Sequence, residues 1–239
     1  MAELKTQTIM IIGKTGSGKS RLINLLLKAK SAECYRSTNS ITKTCKLYKF
    51  VDNGIIYELI DTMGLADTEE PPDTVVDKIK NFLKLNVNEI HWIIVTLNGN
   101  EKLTNENTEV LNNILEFLQL ETYINHVVFC VAHADGWNGP TRDKFNETLS
   151  NNSTFNRFTS NGAAKILYSG APDPDELEGD DDKEHAKKKE IAVRTNLLQA
   201  LPLNSNTIVQ DQIKQWRDED IKKIIDTEFI KKKRRCTIL

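Results

Sequence analysis

Four consecutive apolar residues, Ile9-Met10-Ile11-Ile12, give way to the glycine-rich run Gly13 to Ser20, and then to Leu22, Ile23, Leu25, Leu26 and Leu27 at helical spacing. This pattern predicts a buried strand, a tight turn and a helix packed on the sheet. Residues 31 to 44 are polar with no helical period, which predicts a hydroxyl-rich loop. Leu47 to Val51 and Ile55 to Ile60 flank Asp52-Asn53-Gly54, the composition of a hairpin turn between antiparallel strands. Pro71-Pro72-Asp73 then starts a helix with Val76, Ile79 and Leu83 on one face. Ile90 to Leu97 is almost continuously apolar, as expected of a central strand covered on both faces, with His91 and Trp92 as packing residues. A polar connection follows from Asn98 to Leu103. Thr104 is placed as N-cap of a helix marked by Val110, Leu111, Ile114, Leu115 and Leu118. Val127 to Val131 and Lys165 to Tyr168 read as the last two strands. Residues 172 to 184 read as a solvated acidic loop, and a helix from about 185 to 201 stops at Pro202. Val209, Ile213, Trp216, Ile221, Ile224, Ile225 and Phe229 line one side of a long final helix.

The turn after the first strand carries chemistry. Gly13-Lys14-Thr15-Gly16-Ser17-Gly18-Lys19-Ser20 fits G-x-x-x-x-G-K-[ST]. Its backbone N–H groups can converge on phosphate oxygens at the positive end of the next helix, which begins about Arg21, and Arg21 is expected among the nucleotide-binding residues. Lys19 reaches the β- and γ-phosphates and the Ser20 hydroxyl ligates the Mg²⁺ that bridges them. The alternative is a plain glycine-rich turn. At the end of the third strand lies Asp61-Thr62-Met63-Gly64, a D-x-x-G that also occurs in ordinary turns. Behind a strand and a full phosphate loop, it places Asp61 at the metal and the Gly64 N–H at the γ-phosphate. The segment Leu65 to Pro72 then orders with triphosphate and is released by hydrolysis. Ala132-His133-Ala134-Asp135 follows the fifth strand. A carboxylate there accepts from guanine's ring N–H and exocyclic amine, whereas adenine offers neither donor and leaves the acid unpaired. Asp135 is thus the expected guanine reader, with His133 under the base, Trp137 adding stacking, and Ser169, Gly170 and Ala171 offering backbone N–H groups to the base. A capped turn with a surface histidine is the competing reading.

Composition narrows the partners. The 239 residues carry a formal charge of −2, and the last nine include Lys231, Lys232, Lys233, Arg234 and Arg235 with no acid, which leaves −7 on the other 230. A basic tail on a mildly acidic body predicts an anionic surface as partner and no nucleic acid. Cys34, Cys45, Cys130 and Cys236 show neither zinc-ligand spacing nor a disulfide framework, which fits a reducing compartment. The N-terminal apolar run is too short for a signal peptide, Ala2 excludes myristoylation, and no apolar stretch spans a bilayer. Cys236-Thr237-Ile238-Leu239 matches C-a-a-X ending in Leu. Geranylgeranylation of Cys236 plus five basic residues supplies the two signals that stable anchoring needs, on the cytoplasmic face of a membrane.

The order and spacing of GKTGSGKS, NSITKTC at 39 to 45, DTMGLAD at 61 to 67 and AHAD at 132 to 135 resemble the immune-associated GTPases, the AIG-type or GIMAP family, cousins of the Toc import GTPases. The resemblance implies an α/β, Ras-like P-loop GTPase domain: a mixed, mostly parallel sheet with helices on both faces and a C-terminal helical extension. It divides the chain into a guanine-nucleotide domain at 1–171, an acidic loop with helices at 172–230 and a tail at 231–239. It also implies GTP or GDP and Mg²⁺ as ligands, a GTP-dependent homodimer or oligomer through the guanine-binding face, and Thr42, with Thr44 as runner-up, as switch threonine on Mg²⁺. Two departures stand out. Met63 replaces a common proline, which is expected to loosen the loop, and Lys102 falls where the family often has a hydrolysis-assisting arginine, without its planar fork. Leu65 occupies the water-orienting glutamine position of Ras-type proteins. Slow GTP hydrolysis by a membrane-tethered switch or scaffold that self-associates when GTP-bound is the expected activity. A GTP-binding scaffold that scarcely hydrolyses and an ATP-using P-loop enzyme are the alternatives.

Overall fold

The computed structural model describes residues 4–29, 45–64, 72–159, 164–204, 206–208 and 210–219. Thr42, Thr44, Leu65, the residues after 219 and therefore Cys236 lie outside the described residues. Six strands, β1 (Lys5–Gly13), β2 (Lys46–Asp52), β3 (Ile55–Asp61), β4 (Trp92–Asn98), β5 (Val127–Ala132) and β6 (Lys165–Tyr168), form one sheet in the order β2-β3-β1-β4-β5-β6. All neighbours are parallel except β2 with β3. Asn53 (φ 48°) and Gly54 (φ 75°) both take the left-handed conformation that a two-residue hairpin turn requires.

β1 is apolar at consecutive positions because both of its faces are covered. Met10 and Ile12 pack with Ile60, Ile93, Val95 and Phe129 beneath α2 (Pro72–Asn86), α3 (Asn105–Phe117) and α4 (Gly139–Asn151). Ile9 and Ile11 pack with Leu59, Ile94 and Val128 beneath α1 (Lys19–Leu27). Among the described residues there are also a four-residue helix, α5 (Asn156–Thr159), and the 21-residue α6 (Asp180–Ala200); residues 210–219 form α7. The acidic loop is shorter than its composition suggests. Asp180, Asp181 and Asp182 form the first turn of α6, where carboxylates complement the positive end of the helix.

The C-terminal elements are fastened by side chains that cap backbone carbonyls. Arg194 of α6, 9% exposed, donates from Nε to the Leu26 carbonyl at 3.0 Å, pairs through Nη2 with Asp52 at 3.0 Å and lies over the Phe50 ring. Arg217 of α7 donates to the carbonyls of Lys84 (2.7 Å) and Val87 (2.8 Å) at the end of α2, while Trp216 stacks on Phe117. His91 and Trp92 are packing residues as expected. His91 Nδ1 accepts from the Thr8 N–H at 3.0 Å, and burial holds its pKa below the usual value, so the ring is a neutral acceptor.

Arg194→Ala strips a buried carbonyl and a carboxylate of one donor, and should lower unfolding stability by about 2 kcal/mol. The check is a shifted urea midpoint at unchanged slope.

Candidate functional site

The order of strands reverses on either side of β1, with β3 on one flank and β4 on the other. In open α/β sheets such a reversal leaves a crevice beyond the carboxyl ends of the strands. Gly13 closes β1 there, opposite Thr96 of β4, while Ile11 pairs with Asp61 of β3. Gly18 is the N-cap of α1 at φ 91°, and a Cβ on it would fall 2.6 Å from the Ala132 Cβ, so both conformation and space require glycine. No side chain caps α1 and its first turn holds no acid, which leaves the positive end of the helix for an external anion.

Lys19 is 6% exposed and folds back along the loop, with Nζ donating to the carbonyls of Gly13 (2.9 Å) and Lys14 (2.8 Å). Those bonds satisfy two of the loop's carbonyls from within the loop. Thr96 was not singled out by sequence reasoning. Its Oγ1 donates to the Ile12 carbonyl at 3.1 Å, so the 2.6 Å contact with Ser17 Oγ has Ser17 as donor, since each hydroxyl carries one hydrogen. A threonine interrupting the apolar run of β4 was the available signal. Next to the loop, Lys14 pairs with Glu101 at 3.6 Å, and exposed Lys102 shares a small hollow with Lys14, Ser17 and Thr96.

Asp61 is 1% exposed at the end of β3 and its Oδ1 has no hydrogen-bond partner. Burial pushes its pKa up to about 6, against the pull of Lys19 and Lys46. A buried carboxylate with an unused oxygen beside a phosphate-type loop fits a hard divalent cation, and Ser20 in the first turn of α1 supplies a second oxygen of the kind such ions take. Thr62 Oγ1 donates to the Ile11 carbonyl at 2.8 Å, tying the turn to β1. Met63 does not loosen this turn. Its side chain is 1% exposed within the core of Met10, Ile12, Val75 and Ile79, and anchors the turn by packing. Gly64 lies against the loop so closely that a Cβ would fall 2.1 Å from Thr15 Oγ1.

Farther along the same edge, Gly170 touches the loop after β5, where a Cβ would meet Ala134 C and Asp135 N at 2.4 Å. These two loops and α6 border a cavity of about 670 Å³ lined by Ala134, Trp137, Tyr168, Ser169, Gly170 and Lys189. Asp135 is half-exposed and held at 3.4 Å by Lys189 of α6, a partner no sequence pattern indicated. His133 is exposed at φ 55°, and Trp137 packs on Phe145 and Tyr168. Ala171 continues the second loop. Arg21 is a correction. Its guanidinium is taken up by Glu190, Asp173 (3.7 Å) and the Pro172 carbonyl (3.2 Å), so it joins α1 to α6 rather than serving the cradle.

Sheet order, glycine loop and the Asp61 turn together define a P-loop fold of the GTPase class. The AIG1 family model matches residues 7–161, and the chain belongs to the AIG1 family. It is 29% identical over 109 residues to immune-associated nucleotide-binding protein 10 of Arabidopsis thaliana, an alignment covering 45% of this chain and 24% of that protein. The chain thus spans well under half the length of that curated relative. Among solved structures, a dimerization-deficient mutant of Toc33 from Arabidopsis thaliana superposes with a TM-score of 0.58 at 18% identity, covering 86% of this chain and 88% of that one. Toc33 in complex with GDP and Mg²⁺ gives 0.56 at 18% identity, covering 85% and 87%.

Between the ordinary carboxylate value and about 6, the folded state binds more protons at Asp61 than the unfolded chain does. Ligand-free stability should therefore fall as pH rises through that window, by on the order of 3 kcal/mol, and level off above it. Asp61→Asn should flatten this slope and raise the melting temperature at neutral pH, as read by calorimetry at a series of pH values.

Proposed function

We propose that this chain binds GTP and GDP with Mg²⁺, hydrolyses GTP slowly, and acts as a nucleotide-controlled switch that self-associates in its GTP form. The observation that carries the reading is the pairing of a phosphate cradle with a buried, unpartnered Asp61 oxygen at one sheet edge, continuous with the two loops that meet at Gly170 and Asp135. Lys19 and the N-terminus of α1 take the phosphates, Ser20 and Asp61 hold the cation, and the Asp135 carboxylate accepts from guanine. A cation held by Ser20 and Asp61 would supply charge neutralisation at the phosphates. Lys189, 3.4 Å away, is near enough to hold the Asp135 carboxylate in place until the base arrives. Thr42 as a further metal ligand rests on the family resemblance, and the Gly64 N–H as sensor of the γ-phosphate on the D-x-x-G motif.

Slow turnover is supported by the chain itself. Leu65 offers no group to orient water, and Lys102 supplies charge without the bidentate geometry of arginine. Self-association is supported by the Toc33 neighbour, whose solved form includes a dimerization-deficient mutant. Membrane attachment is supported by Lys231 to Arg235 and the Cys236 motif, and requires Leu239 to be the final residue of the mature protein.

Displacement of a fluorescent GDP analogue tests the core of this reading. GTP should compete and ATP should not. Lys19→Ala should weaken both guanine nucleotides, and Asp135→Ala should narrow the GTP-over-ATP preference by about a hundredfold, the order expected for losing hydrogen bonds to a charged acceptor. Absence of GDP uptake, or equal competition by ATP, overturns the proposal. Single-turnover hydrolysis, followed with mass measurement in each nucleotide state, should be slow for the monomer and faster on association; an activated rate in the monomer contradicts it. Intact mass of protein from a eukaryotic host should show the added prenyl group, and unmodified Cys236 would remove the tether.

A further inference from the structure

Among the described residues, two buried side-chain oxygens at the site have no hydrogen-bond partner: Asp61 Oδ1 and Thr15 Oγ1. A divalent cation accounts for the first. The second lies in the phosphate loop between Lys14 and Gly16, and leaving a buried hydroxyl unpaired is costly enough to call for an explanation. Thr15 also faces Gly64 across a gap that admits no side chain: a Cβ on Gly64 would fall 2.1 Å from Thr15 Oγ1, 3.0 Å from Thr15 Cα and 3.1 Å from Thr15 Cβ. The hydroxyl is therefore aimed at the seam between the cradle and the turn that follows Asp61.

The geometry points to Thr15 as a specificity-determining residue, whose hydroxyl donates a hydrogen bond to the terminal phosphate of a nucleoside triphosphate and holds it against the Gly64 turn. This inference rests on the nucleotide reading above and names which side chain tells triphosphate from diphosphate. The chemistry suits the position. A hydroxyl brings one donor that rotates toward its acceptor, and a bond from it to an anionic oxygen is stronger than one to a neutral group. Lys19 is already committed in part to the carbonyls of Gly13 and Lys14, and Ser17 donates to Thr96 rather than into the crevice. With Ser20 assigned to the cation, the loop's threonine is a buried hydroxyl whose bonding capacity the fold itself leaves unused. Close approach to Gly64 then gives the added phosphate a direct route to the turn, since Thr15 and Gly64 leave no room for a side chain between them.

The test compares the affinity of the non-hydrolysable analogue GMPPNP with that of GDP, by titration calorimetry in Mg²⁺, for the full chain and two variants. Thr15→Val keeps the branched shape against Gly64 and removes the donor; Thr15→Ser keeps the donor and removes the methyl group. For Thr15→Val the GMPPNP-to-GDP affinity ratio should fall by about tenfold or more, with GDP affinity unchanged, and Thr15→Ser should restore the wild-type ratio. A wild-type ratio in Thr15→Val overturns the inference, and so does an equal loss for both nucleotides, which would mark Thr15 as a packing residue only. If the unaltered chain binds neither nucleotide, the function proposed above fails and takes this inference with it; discrimination by wild type that Thr15→Val retains defeats the inference alone.

Discussion

Everything in this molecule depends on β1 being a parallel strand paired on both edges and buried on both faces. The strand cannot end in water gradually. It must stop at Gly13, in a crevice between β3 and β4, and the chain has to turn there with its backbone groups accounted for. The carbonyls of Ile12, Gly13 and Lys14 receive hydrogens from Thr96 and Lys19, so the acceptors of the turn are satisfied internally. The uncapped start of α1 is the electrostatic residue of that arrangement, and an anion is its natural complement.

The same burial that makes the sheet stable makes the site costly. Asp61, the last residue of β3, is carried by that strand into the apolar interior, where its charge is disfavoured and one oxygen goes unpaired. Met63, two residues on, drops into the core and Thr62 ties back to β1, so the carboxylate is held in that position rather than allowed to turn toward solvent. A cation and an anionic phosphate relieve both problems at once. Binding energy and folding energy are in this sense coupled through the same few atoms.

α6 connects the two ends of the site. Arg21 in α1 reaches Glu190, Arg194 reaches the carboxyl end of α1 and the β2–β3 hairpin, and Lys189 reaches Asp135 in the loop after β5. The start of α1 and the loop after β5 are therefore braced by one helix. Its exposed surface is rich in charge, which is why its apolar stripe is faint in the sequence: few of its residues are fully buried, and its hold on the domain comes mainly from capped carbonyls and ion pairs.

The chain's linear pattern was enough to specify the strand–turn–helix start, the Asn53-Gly54 hairpin, the doubly covered β4 and β5, and the residue types of the cradle, because each follows from local backbone preference or from burial on two faces. It also determined that a phosphate, rather than a general apolar ligand, is what the Gly13 to Ser20 turn suits. Other features belong to the tertiary structure alone. The support of Ser17 by Thr96, the approach of Gly64 to Thr15, the meeting of Gly170 with Ala134 and Asp135, and the diversion of Arg21 to α6 all join residues between 35 and 169 positions apart in the chain or on different strands. Periodicity reports which face of an element is buried, not which distant atom lies across from it; that is decided by strand order and register, and here the order β3-β1-β4 made the choice.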